Sequence, residues 1–135
     1  MSFRPLMLLV LCIALVALLP FAAHAVVPTQ EQPVAVLRAL DKMTARVEEI
    51  GLPVGKTIQF GNLSIVAKTC RTTLPEETPP ESASYLEVSE VNPGAQDVPV
   101  FKGWMFASSP ALSAMEHPIY DIWVTGCKDK IPANK

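Results

Sequence analysis

Residues Leu6–Leu19 read LMLLVLCIALVALL, an almost unbroken apolar run, and nothing like it recurs along the chain. From Val34 to Ile50 the pattern is mixed. Val36, Leu40, Met43, Val47 and Ile50 are spaced as the stripe of an amphipathic helix, with Pro33 at its start and Gly51 at its end. The same stretch also divides into Val34–Leu40 and Thr44–Val47, two strands around an Asp41-Lys42 turn. Periodicity alone favours the helix.

Beyond Leu52 the rhythm has period two. Val54–Phe60 and Leu63–Cys70 alternate apolar and polar positions around Gly61-Asn62, which predicts a hairpin with Cys70 at its far end. Thr72–Ser82 (TTLPEETPPES) carries three prolines and three glutamates, so it reads as an exposed, polyproline-like loop. Ser84–Val91 alternates again, and Asn92-Pro93-Gly94 turns it. Val98–Ala107 is apolar and aromatic, a strand with Gly103 as a bulge or close-contact site. Ser109-Pro110 offers a cap followed by a first-turn proline, so Pro110–Glu116 reads as a short helix that His117-Pro118 stops. Ile119–Thr125 is a strong strand, followed by Gly126, Cys127 and a polar tail over residues 129–135. The fold class is mainly β: one small sandwich or barrel of six to eight strands with one short helix, without internal repeats.

Composition places this domain. The chain has 135 residues, one domain's worth. Arg4, the Leu6–Leu19 run, Pro20 and Ala23-His24-Ala25 have the order of a secretory signal with its cleavage site over residues 1–25. Pro5–Val27 is also just long enough to span a bilayer as an uncleaved anchor. Either way the remainder lies outside the cytoplasm, and the reading is periplasmic. Residues 26–33 form a lead-in between signal and domain. Beyond Ala25, ten Lys+Arg face 13 Asp+Glu, so neither nucleic acid nor anionic lipid has an electrostatic claim on the chain. Eleven of the 13 prolines also lie there, about twice ordinary usage, which excludes a long helical bundle.

With the signal removed, two cysteines remain, Cys70 and Cys127. In an oxidising compartment an even pair reads as one disulfide. The rival is a redox-active pair, which would want the close C-x-x-C spacing that these two lack.

Several stretches together resemble the DUF2155 family of small exported bacterial proteins, known chiefly from alphaproteobacteria. They are Ala39–Thr44, Val54-Gly-Lys with Phe60–Leu63, Thr69-Cys-Arg71 with Pro75–Ser82, Gly103–Leu112, Glu116–Trp123 and Cys127. The resemblance covers Val34–Lys128. It implies an envelope protein without an assigned activity, so no catalytic residue is carried over. It also implies strands rather than helix over Val34–Ile50. Family genes often neighbour one for a small accessory subunit of respiratory complex I, an associational hint toward assembly of a membrane complex.

Candidate chemistry is sparse. Ser108, Ser109, His117 and Asp121 supply all three residue types of a nucleophilic triad, but no G-x-S-x-G elbow accompanies them. Their plainer readings are cap, helix stop and strand-surface carboxylate. No metal site is expected: Glu76, Glu77 and Glu81 lack the spacing of a calcium loop. Isolated glycines do not cradle phosphate, and no cofactor is expected. The most informative cluster is Trp104-Met105-Phe106. Neighbours on a strand point to opposite faces, so if Trp104 and Phe106 face the core, Met105 faces out. Trp104, Met105, Phe106, Ser108, Ser109 and His117 are the candidate binding surface. The favoured role is a non-catalytic binding or scaffolding module with an envelope or membrane protein as partner. An assembly factor for a membrane complex and a serine hydrolase are the alternatives.

Overall fold

A computed structural model describes residues 26–133; the signal segment read over residues 1–25 lies outside them. Eight strands follow in order: β1 (Gln30–Glu31), β2 (Val34–Asp41), β3 (Arg46–Pro53), β4 (Thr57–Phe60), β5 (Leu63–Thr72), β6 (Ser82–Glu90), β7 (Val98–Phe106) and β8 (Tyr120–Lys128). They form two antiparallel sheets. The larger has the order β1-β5-β6-β7, with β4 also paired to β5, and the smaller has the order β3-β2-β8.

The two sheets enclose one apolar core. Ala35, Leu37 and Ala39 of β2 face Leu63, Ile65 and Ala67 of β5, Leu86 and Val88 of β6, and Ile122 and Val124 of β8. Each of these sets advances in steps of two, as a strand with one buried face requires. A fully buried leucine such as Leu37, Leu52, Leu63 or Leu86 contributes about 2 kcal/mol by leaving water.

The segment Val34–Ile50 is a hairpin, as the family resemblance implies, and not the helix its stripe favours. β2 and β3 pair from Val34↔Pro53 to Asp41↔Arg46. Of the stripe only Ile50 packs against the core; Met43 is 78% and Val47 53% exposed. The buried period runs through the alanines between the larger residues. The turn sits one residue later than expected, at Lys42–Ala45, where the Asp41 carboxylate accepts the N–H groups of Met43 and Thr44 at 2.9 and 3.3 Å.

Two smaller expectations also change. Pro110–Glu116 is not a two-turn helix but one 3-10 turn over Pro110–Ser113. Ala114 is extended (ψ 138°), which sends Met115 into the core at 5% exposure. The bulge of β7 falls at Val100, between the pairs Val88↔Phe101 and Ser89↔Pro99, rather than at Gly103. Pro99 lacks an N–H for the ladder, so the irregularity gathers beside it.

Elsewhere the pattern holds. The β4–β5 hairpin turns at Gly61-Asn62, and the proline-rich segment is a loop between β5 and β6. Cys70 and Cys127 lie at disulfide distance, 57 residues apart in sequence, and join β5 to β8 across the two sheets. The lead-in is tied to the domain: Gln30 and Glu31 pair with Thr72 and Arg71, and Gln32 N–H donates to the Cys70 carbonyl at 2.8 Å.

Candidate functional site

At one end of the sandwich a polar group gathers around His117, whose side chain is 5% exposed. Its Nδ1 accepts the backbone N–H groups of Ile119 and Tyr120, both at 3.1 Å. The ring hydrogen therefore sits on Nε2, which faces Glu90 Oε2 at 3.7 Å. The imidazole stacks on Tyr120 (centroids 5.3 Å apart), and Tyr120 meets Phe60 edge-on at 5.6 Å. Glu90 also accepts from Asn62 Nδ2 at 2.7 Å, while Lys42 Nζ donates to the His117 carbonyl at 2.8 Å and pairs with Asp121 at 3.0 Å. These bonds lock the entry of β8 to the ends of β2 and β6. His117 precedes Pro118 and caps the start of the next strand, and its ring is interior.

The nucleophilic triad is not assembled. Among the described residues no hydrogen bond joins Ser108 or Ser109 to His117, and Asp121 is engaged by Lys42 rather than by the imidazole. Ser108 instead gives its hydroxyl and its N–H to the Glu81 carboxylate, which also accepts from Ser82 N–H at 2.9 Å. Glu81 thereby staples the start of β6 to the end of β7. Ser109 precedes the 3-10 turn without capping it through its side chain.

The aromatic cluster divides in the sense opposite to the case considered from sequence. Met105 points inward at 3% exposure, opposite the fully buried Ser84, while Trp104 and Phe106 lie on the outer face. The small Ser84 leaves room for an unbranched thioether, and the indole is turned away from the smaller sheet. Trp104 is 37% exposed and packs edge-on against its cross-strand partner Tyr85 at 5.7 Å. The adjoining row is charged: Lys102 and Lys68 approach Glu87 from either side at 3.3 and 3.4 Å. Partial desolvation opposes ionisation of Glu87, but the two ammoniums outweigh it and hold the carboxyl below its ordinary range.

Sequence reasoning named Trp104, Phe106, Ser108 and Ser109 but missed Tyr85, Glu87, Glu90 and Asn62. For Glu90 a signal existed. It continues the inward set of Leu86 and Val88, and an acid in that phase at a strand end calls for a buried partner.

The sequence model of the family described as "Uncharacterized protein conserved in bacteria" (DUF2155) matches residues 35–127, from the first core alanine of β2 to Cys127. The chain belongs to the DUF2155 family. Among curated proteins, this DUF2155 chain is similar to the uncharacterized protein RP359 of Rickettsia prowazekii (strain Madrid E). The two are 40% identical over 91 residues, which are 66% of this chain and 57% of RP359, so the match spans little more than half of that relative. No solved structure matches the chain. The DUF2155 match contains the β2–β8 framework except its two terminal residues, Val34 and Lys128, together with the polar group around His117 and the Trp104 face.

Proposed function

We propose that this DUF2155 domain is a non-catalytic binding module of the bacterial envelope, exported by its N-terminal segment, that holds an envelope or membrane protein on the outer face of its larger sheet. Trp104 and Tyr85 form the centre of that surface, with Phe106, Ser108 and Ser109 at one end and Lys102, Glu87 and Lys68 at the other. The reading rests on one observation: a tryptophan is kept part-exposed on the face turned away from the core, fixed there by an edge-on tyrosine. Aromatic anchors bordered by charged side chains are the usual composition of a recognition patch. The cysteine pair supports the compartment, since such pairs persist where the surroundings are oxidising.

A photocrosslinking residue placed at Trp104 in the full chain, produced in its native bacterium, tests the surface. Val98, 52% exposed at the far end of the same strand, is the control position. The expected result is one discrete adduct from position 104 that position 98 does not give, with the partner's identity read by mass spectrometry. Equal labelling from both positions, or none from 104, refutes the assignment. Export is tested separately by recovery of the chain in the periplasmic fraction.

A further inference from the structure

Val34 and Val36 are 5% and 2% exposed, yet neither belongs to the core cluster that holds Ala35, Leu37 and Ala39. Side chains alternate along β2, so both valines lie on the outer face of the smaller sheet. Val36 is flanked by glycines on both neighbouring strands, Gly51 of β3 and Gly126 of β8. The row is therefore a trough floored by backbone on either side of one valine.

The chain returns over the Gly51 end of this trough after β8, while the space over Gly126 stays open. A β-carbon on Gly51 would lie 2.8 Å from both Ile131 Cγ2 and Pro132 Cδ, so the Ile-Pro pair rests directly on the β3 backbone. Among the described residues no hydrogen bond or ion pair ties residues 129–133 to the sheet, and Ile131 remains 59% exposed. Among the described residues, 129–133 are held by contact alone. Beside it a cleft of about 1020 Å³ continues past Val47, Glu49 and Lys128.

That cleft borders an open strand edge. β3 ends its sheet, and the bond from Val54 N–H to the Pro33 carbonyl (2.9 Å) sets the alternation. Ile50 and Leu52 bond to β2, while Val47, Glu49 and Gly51 direct N–H and C=O outward. An extended segment laid here meets an apolar seat and unpaired backbone at once, which are the two elements of strand addition.

We propose that the Gly51–Val36–Gly126 trough and the open edge of β3 form a docking groove for an extended peptide bearing a branched apolar residue followed by proline, and that the chain's own Ile131-Pro132 occupies its Gly51 end in cis as a releasable plug. A plug seated by the apolar contact of Ile131 and Pro132 is displaced by a segment that adds backbone hydrogen bonds to the same contact. While seated, it lowers the apparent affinity for such a segment by the fraction of chains that are open.

The test compares the full chain with a full chain carrying Ile131→Ser and Pro132→Ser. The probe is a fluorescein-labelled synthetic peptide with the sequence of residues 129–135, followed by fluorescence anisotropy. The released chain binds the peptide at least about tenfold more tightly than the unaltered one. Adding Gly51→Val, which fills the seat, removes that gain while the circular dichroism spectrum and melting curve stay those of the folded chain. Equal binding by the first two proteins overturns the proposal, as does binding that survives Gly51→Val. A released chain that no longer folds, or that doubles its mass in light scattering by pairing with a second copy, also overturns it.

Discussion

The phenol of Tyr120 lies over the α-carbon of Gly61, in the space that a β-carbon would occupy. Gly61 also has φ +59°, a conformation that side chains other than glycine's adopt at a cost. Space and backbone thus make the same demand at the β4–β5 turn. Gly61→Ala is expected to destabilise the fold by about 2–4 kcal/mol, combining turn strain with overpacking. Urea unfolding measures this; a change below about 0.5 kcal/mol would mean that Tyr120 moves aside freely.

Met105 and Trp104 are neighbours with opposite duties. Met105→Ala removes a buried side chain and is expected to cost about 2–5 kcal/mol. Trp104→Ala loses part-exposed area and the Tyr85 contact, about 1 kcal/mol. Paired denaturation curves check the order, and a larger loss at Trp104 would make it a core residue and remove the proposed surface.

His117→Ala leaves two backbone N–H groups without their acceptor, with an expected cost of about 2–4 kcal/mol. Ser109→Ala, at an exposed position without a side-chain cap, is expected to stay within about 0.5 kcal/mol. Amide exchange at Ile119 and Tyr120 reports the first effect directly, rising in the histidine variant alone.

Opening the Cys70–Cys127 bond frees a 57-residue loop in the unfolded chain. The chain-entropy argument gives about 4 kcal/mol for such a loop, a large share of the roughly 5–15 kcal/mol that domains possess. The urea midpoint with and without a reductant measures it.

Glu87 lies between two ammonium groups that favour its ionised form. Because Lys102 and Lys68 lower its folded midpoint, its contribution to stability is complete above the ordinary carboxylate range and is lost as pH falls through the lowered midpoint. A carbon-detected NMR titration should place Glu87 below an unperturbed glutamate, and Lys102→Ala should move it upward. A titration that Lys102→Ala leaves unchanged would separate the shift from the lysine.

The strands with one wet face were legible in advance, because Leu63, Ile65 and Ala67 stand against Ser64, Val66 and Lys68 at period two. β2 was not, and the reason is physical. Val34–Leu37 are all buried, and a strand buried on both faces shows no alternation. Its core positions include alanines, too small to stand out beside the louder Val36–Leu40–Met43 stripe. The direction of Trp104 depended on the space over Ser84, which no residue near Trp104 in sequence announces. Glu90, Asn62 and His117 come from three separate segments, so only the pairing of the sheet makes them neighbours.

The pairing of β1 sets how the domain is held by whatever precedes it. Glu31, Arg71, Ala83 and Phe106 form one rung across four strands, each step about 4.8 Å, so the point where the chain enters lies about 14 Å from Phe106. The chain therefore joins the larger sheet at the same end of the strands as Phe106 and at the end opposite to Asn62 and Glu90. For surface display or immobilisation, a handle joined through β1 pulls on the sheet edge opposite β7, across β5 and β6 from the aromatic strand.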